Sequence, residues 1–211
     1  MSTTAKENIL KKIRQALAQP VPVPFPQSEG NESVFHPSQQ ELEIEFAENF
    51  TKLQGRFSFC ADENELQQQL NILFAARKWK SVFCNEDEWT KKLSVLQIPL
   101  QQNDLNTCDA SITGCEALVA RTGSMVLSSA PQSGRTVSAY APVHICIAYS
   151  SQLVYDIKDA LQLVKDKYQD EVPSLITLAT GPSRTADIEK TLVVGVHGPK
   201  EVFCFVVEKA G

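Results

Sequence analysis

Residues 56–84, RFSFCADENELQQQLNILFAARKWKSVFC, hold two short strand-like runs with a helix between them. RFSFC (56–60) and SVFC (81–84) are built from apolar and aromatic residues that suit a pleated, half-buried surface. Between them Asp62 with Glu65 forms a capping pattern, and Leu66, Leu70 and Leu73 recur at helical spacing. A strand–helix–strand unit of this kind joins parallel strands, so the segment predicts an α/β fold: a sheet flanked by helices.

The flanks extend the pattern. Upstream, Ser38 with Glu41 reads as a capping box, followed by Leu42, Phe46, Phe50 and Leu53, with Gly55 suited to the C′ position. Downstream, a helix is expected from Glu86 to about Leu96. ASIT (110–113), EALVA (116–120) and SMVLSS (124–129) then read as short strands, with Arg121-Thr122-Gly123 as a hairpin loop. VHICIAY (143–149) is a buried strand. Asp156 caps a helix with Ile157, Ala160, Leu161, Val164 and Tyr168 on one face. SLITLAT (174–180) and EVFCFVV (201–207) complete the set. The expectation is a mixed sheet of about six or more strands with helices on both faces, an antiparallel insertion interrupting parallel units.

The amino-terminal part differs. Residues 1–19 read as an amphipathic helix with Ile9, Ile13, Ala16 and Leu17 on one face, a capping pattern at Thr4 and Glu7, and a stop at Pro20. Residues 20–37 carry Pro20, Pro22, Pro24, Pro26 and Pro37, which favour an extended polyproline spacer. The globular domain is expected over 38–211. So short a helix needs a surface to pack on, which predicts that the arm docks on a second copy or a partner protein.

A net charge of −5 with thinly spread Lys and Arg argues against nucleic acid. The absence of a long apolar run and of a signal-peptide pattern argues for the cytoplasm. The six cysteines, Cys60, Cys84, Cys108, Cys115, Cys146 and Cys204, form no C-x-x-C pair and mostly sit in strand-like runs. They read as buried reduced thiols, with Cys108 and Cys115 a weak pair of site candidates, and neither a metal nor a bound cofactor is expected.

Chemistry is most expected at Thr180-Gly181-Pro182-Ser183-Arg184-Thr185-Ala186-Asp187-Ile188-Glu189, between a strand and an apparent short helix. Ligands in open α/β sheets bind outside the carboxyl ends of strands. Gly181 admits a close-approaching backbone, Ser183 and Thr185 add hydroxyls, and Arg184 offers a fork for a carboxylate or phosphate. The competing expectation is a capped turn in which Arg184 pairs with Asp187 or Glu189. Gly195-Val196-His197-Gly198-Pro199 positions an imidazole, so His197 is a candidate acid, base or ligand-orienting group. Thr122-Gly123-Ser124 and Ser133-Gly134-Arg135 each pair a glycine with hydroxyls; either could be a plain turn. His144 reads as a satisfied strand-end histidine. No G-x-S-x-G or Walker sequence is present.

Three blocks carry a resemblance: ITGCEALVARTGSMVLSS (112–129), the GR…APVHI segment (134–145), and TGPSRTADIEKTLVVGVHGPKEV (180–202). In this order they resemble the LUD-domain family of lactate utilization proteins, in its LutC/YkgG-like form. The resemblance implies a NagB/RpiA/CoA-transferase-like fold and a place in a three-protein system that oxidises L-lactate to pyruvate. It implies iron–sulfur partner proteins, while this chain, without C-x-x-C-x-x-C runs, resembles the cluster-free member. The family commonly has an acidic residue before Thr-Gly-Ser; here Arg121 stands there, so any such role is lost or passes to Glu116. Three functional classes follow: a subunit of a lactate-oxidising complex, a stand-alone transferase or isomerase, and a ligand-sensing or assembly module without chemistry.

Overall fold

A computed structural model of the chain describes residues 5–18, 37, 38, 40–95, 100, 101, 104–188 and 191–208. The chain divides into two units, residues 1–37 and 38–211. In the first, helix α1 (Ala5–Leu17) forms where the amphipathic pattern predicts it. The expected cap at Thr4 and the proline run before Pro37 lie outside the described residues.

The second unit opens with α2 (Leu42–Lys52), β1 (Arg56–Cys60), α3 (Glu63–Arg77), β2 (Val82–Phe83), α4 (Asp87–Val95) and β3 (Leu100–Gln101). β4 (Ala110–Thr113), β5 (Ala117–Val119), β6 (Ser124–Ser128), α5 (Val137–Tyr140), β7 (Val143–Tyr149) and β8 (Leu153–Val154) follow. The chain closes with α6 (Ile157–Tyr168), β9 (Ile176–Ala179), β10 (Arg184–Ile188), β11 (Thr191–Val194) and β12 (Glu201–Val207).

The helix-flanked α/β sheet is as predicted, but among the described residues the strands divide into three sheets, and the antiparallel pairs stand outside the six-stranded one. One sheet has six strands in the order β1-β12-β7-β4-β2-β3, and every pairing in it is parallel. A second sheet, β8-β5-β6-β9, is mixed, with β5–β8 parallel and β5–β6 and β6–β9 antiparallel, and β10–β11 form a separate antiparallel pair. The reason lies in the alternation of the central strands. Ile145, Ile147, Phe203 and Phe205 face α3 and α4 in one core. Cys146, Ala148, Val202, Cys204 and Val206 face α2 and the second sheet in another. Both faces of β7 and β12 are thus buried, which is why these strands read as unbroken apolar runs. The far face of the second sheet is covered by Ala160 and Val164 of α6.

Local signals succeed and fail for definable reasons. Asp62 accepts from Glu65 N at 2.8 Å, as a cap should. Asp156 and Asp159 form a full capping box on α6. Ser38 does not cap α2: the helix starts at Leu42, and the Ser38 hydroxyl instead bonds the Glu45 carboxylate. The positive φ after α2 falls on Gln54, not Gly55. Gly55 is required for space, since a Cβ there would stand 2.4 Å from the Phe50 ring. The helix expected beyond Arg184 is instead an antiparallel hairpin, β10–β11, whose β-branched Thr and Val residues suit strands.

Candidate functional site

The six-stranded and four-stranded sheets of the second unit meet beside the amino-terminal ends of β7 and β12. A pocket of about 300 Å³ opens there, walled by β9 and Thr180–Ser183 on one side and His144, Val202 and His197 on the other. A neighbouring lobe of about 500 Å³ shares Ala139, His197 and Gly198 and extends to Tyr140 and Lys200. The glycine-bearing loops therefore lie at the amino ends of the parallel strands, contrary to the expectation of the carboxyl ends. The strand that precedes Thr180 belongs to the other sheet, where the carboxyl-end rule for parallel sheets has no hold.

Two of the predicted loops are zipped together. Ser183 N donates to Pro199 O at 3.0 Å, and Gly195 N to Ser183 O at 2.9 Å. Gly198 lets the Ser183 side chain lie against its backbone: a Cβ there would stand 2.8 Å from Ser183 Cβ. His197 is exposed, and Ser183 is half-buried. Gly181, at φ 87°, sits on the end of α2, where a Cβ would stand 2.6 Å from Leu53 O. Arg184 donates through Nη2 to that same Leu53 carbonyl while its side chain stays exposed. A guanidinium on the last carbonyls of a helix complements the helix dipole. The side chains of Asp187 and Glu189, the alternative partners, lie outside the described residues. Thr185 pairs with Val193 across the hairpin and does not line the pocket.

The third loop joins only in part. Ser124, buried, shares hydrogen bonds of 2.8 Å with Thr122 and with Thr180, so a run of hydroxyls leads from the hairpin to the pocket wall. Gly123 is structural: at φ 60°, a Cβ would stand 2.4 Å from Phe50 N of α2. Asn49 seals this approach by donating to Ala120 O and Arg121 O. Gly134 and Arg135 lie elsewhere, near the start of β9. Gly134 N closes a turn on Pro131 O, and Arg135 Nη2 reaches Ser174 Oγ at 2.6 Å.

Arg121, which stands where the family commonly has an acid, and Glu116, weighed for that role, are both held by the scaffold. Arg121 pairs with Asp156, the N-cap of α6, at 2.9 Å. The carboxylate of Glu116 is buried and accepts from Ser128, Tyr168 and Lys167. Burial alone would raise its pKa; the three donors more than offset this and hold it below the usual glutamate value. Cys108 packs with Phe83, Val137 and Ala141, whereas Cys115 lies against the core between the sheets, so the two do not share a site. Among the described residues no group of three or more His, Cys, Asp or Glu is placed to hold a metal ion.

Sequence reasoning passed over two pocket residues. His144 is 1% exposed and lies two positions from the solvent end of an apolar run, a pattern that ordinary core histidines share. Lys200 follows Gly198-Pro199 without a motif. Only the structure shows that its stem fills the space left by Gly195, where a Cβ would overlap Lys200 Cγ at 2.2 Å.

The LUD domain family matches residues 86–207, which include every loop of the pocket. A lactate utilization protein C from Bacillus licheniformis is 41% identical over 99 residues, 46% of this chain and 41% of that protein. Another from Anoxybacillus flavithermus is 28% identical over 185 residues, covering 81% of this chain and 82% of that one. Against the Bacillus licheniformis relative the chain thus spans under half of the relative's length. A crystal structure of a DUF162 family protein from Deinococcus radiodurans superposes with a TM-score of 0.61 at 18% identity, over 82% of this chain and 99% of that one, a likeness of fold. Among the described residues no helix is long and apolar enough to cross a membrane.

Proposed function

The chain belongs to the LUD-domain family, and on that premise we propose that it is the cluster-free subunit of an L-lactate utilization system and holds a small carboxylate in the pocket between its six-stranded and four-stranded sheets. The observation that carries this reading is the joining of Thr180–Ser183 to Gly195–Pro199 around that pocket. The joined loops bring Ser183 and His197 to this pocket, and Lys200 lines the neighbouring lobe that shares His197 with it. An ammonium has no acceptor capacity and is complementary to an anion. Arg184 adds positive charge at the rim while it caps α2. Electron transfer would then fall to iron–sulfur partner proteins, with which the full chain should co-purify from its native cell.

Glu116 argues against a stand-alone transferase that uses this carboxylate as nucleophile, because three donors engage it. The test is thermal unfolding of the full chain with L-lactate, pyruvate, phosphate or sulfate. Lactate or pyruvate should raise the Tm, and His197→Ala should weaken the effect by about three- to tenfold in apparent affinity, one hydrogen bond's worth. A Tm unmoved by either carboxylate would sink the reading.

A further inference from the structure

The imidazole of His144 forms part of the wall of the 300 Å³ pocket and is itself 1% exposed. Its Nε2 lies 2.9 Å from Thr113 Oγ1. The Thr113 hydroxyl has one hydrogen, which it donates to Gly114 O at 2.8 Å. That oxygen can therefore only accept from the histidine. Nε2 carries the ring proton, and Nδ1 of the neutral ring is a bare acceptor. Burial keeps the ring neutral, pulling its pKa from 6.5 down to about 4. The hydrogen bond seen for the ring is that of Nε2, and Nδ1 is not among the fully buried side-chain atoms left without a partner, so it keeps an opening to the pocket that the residue lines. Beside Thr180, Ser183 and His197 the pocket wall thus carries one acceptor, and a ligand that satisfied it would donate one hydrogen.

We propose that His144 Nδ1 accepts a hydrogen bond from the hydroxyl of a 2-hydroxy acid, and that this bond makes the pocket prefer the 2-hydroxy acid to its 2-oxo counterpart. The 2-oxo acid has the same carboxylate but no hydrogen to give; its carbonyl oxygen would face the nitrogen lone pair. An acid lacking the oxygen altogether would leave the nitrogen unpaired. Both lose the bond, and both leave the pocket-lining acceptor unpaired. The inference rests on the carboxylate reading of the pocket and adds to it the class of carboxylate and the residue that selects it.

Titration calorimetry on the full chain with L-lactate, pyruvate and propanoate tests it. L-lactate is expected to bind about tenfold more tightly than either of the others. His144→Gln keeps an amide donor near the Nε2 position for Thr113 and removes the acceptor. In that variant the three acids should bind alike, near the affinity wild type has for pyruvate. A measurement on wild type alone covers the case in which the variant fails to fold: the ¹⁵N resonance of His144 Nδ1 should move with L-lactate and stay with propanoate. Equal binding of the three acids by wild type, a preference that survives His144→Gln, or a resonance indifferent to lactate overturns the role of His144 and leaves the carboxylate reading intact. Binding of none of the three overturns the carboxylate reading, and this inference with it.

Discussion

Lys92, beside the last residue of β7, and His144, in its second position, stand at opposite ends of one parallel sheet. At the carboxyl end, many polar groups answer one another, although Asn85 Oδ1, just past β2, is buried without a partner among the described residues. Lys92 meets Glu63 at 3.1 Å and Glu88 at 3.2 Å and also bonds the Tyr149 hydroxyl, which donates to Glu63 at 2.9 Å. Tyr149 stacks on Trp89, and Glu86, buried, accepts from Gly114 N at 2.9 Å. Gln152 bridges Tyr149 N and Cys115 O. At the amino end, Thr180, Ser183, His197 and His144 line a cavity.

The glycines offer the severest test of this contrast. At the end of β6 nearest the pocket, Gly123→Ala would drive a Cβ to 2.4 Å from the Phe50 backbone at a φ of 60°. Strain and overlap together should cost about 4 kcal/mol. Gly114 at the carboxyl end meets only the side chains of Trp89 and Glu86, with its closest approach at 2.9 Å, so Gly114→Ala should cost about 1–2 kcal/mol. Urea unfolding of both variants decides the matter, and the reverse order would break the comparison.

The pH dependence gives a middle-sized effect. The pKa of His144 is about 4 in the folded chain and 6.5 ordinarily. The unfolded chain takes up this proton first as pH falls. The contribution of His144 to stability is therefore whole above pH 6.5 and is lost progressively as pH falls to about 4. Over that window the loss should reach about 3 kcal/mol. Unfolding free energies at pH 7 and pH 4 should thus fall less for His144→Gln than for wild type. Equal falls would mean that this end of the sheet holds no buried neutral imidazole.

The smallest effect concerns the matched end. Lys92→Met removes a cation that is one-third exposed, so screening limits the cost to about 1 kcal/mol or less. Affinity for L-lactate should not change. A several-fold loss would show that the carboxyl end, too, communicates with the ligand.

Much was legible from short-range pattern. Leu66 and Leu70 mark the buried face of α3 by spacing alone, Asp62 and Asp156 mark helix starts, and both helices follow them. The alternation of β12 places Phe203 and Phe205 in one core and Cys204 and Val206 in the other. The loop at Thr180–Ser183 could be singled out by its residue types. Gly181, however, carries the same letter whether it admits a ligand or the carbonyl of Leu53, more than a hundred residues away in the chain. Arg184 likewise reads as an anion fork or as a neighbour's partner, and its visible bond is to the end of α2.

Helix and strand periods, caps and the family blocks are properties of residues close together in the chain, so much of the element order and the family could be read from the letters, but not the hairpin β10–β11 or the short elements β3, α5 and β8. The division of the central strands between a six-stranded and a four-stranded sheet, the gathering of the loops at the amino ends of β7 and β12, and the separation of Arg135 from Arg184 depend on pairings between residues far apart in sequence. The tautomer of His144 depends on Thr113, thirty-one positions away, giving its only hydrogen to a carbonyl. No local pattern encodes such a contact, because it exists only once both strands have been laid side by side.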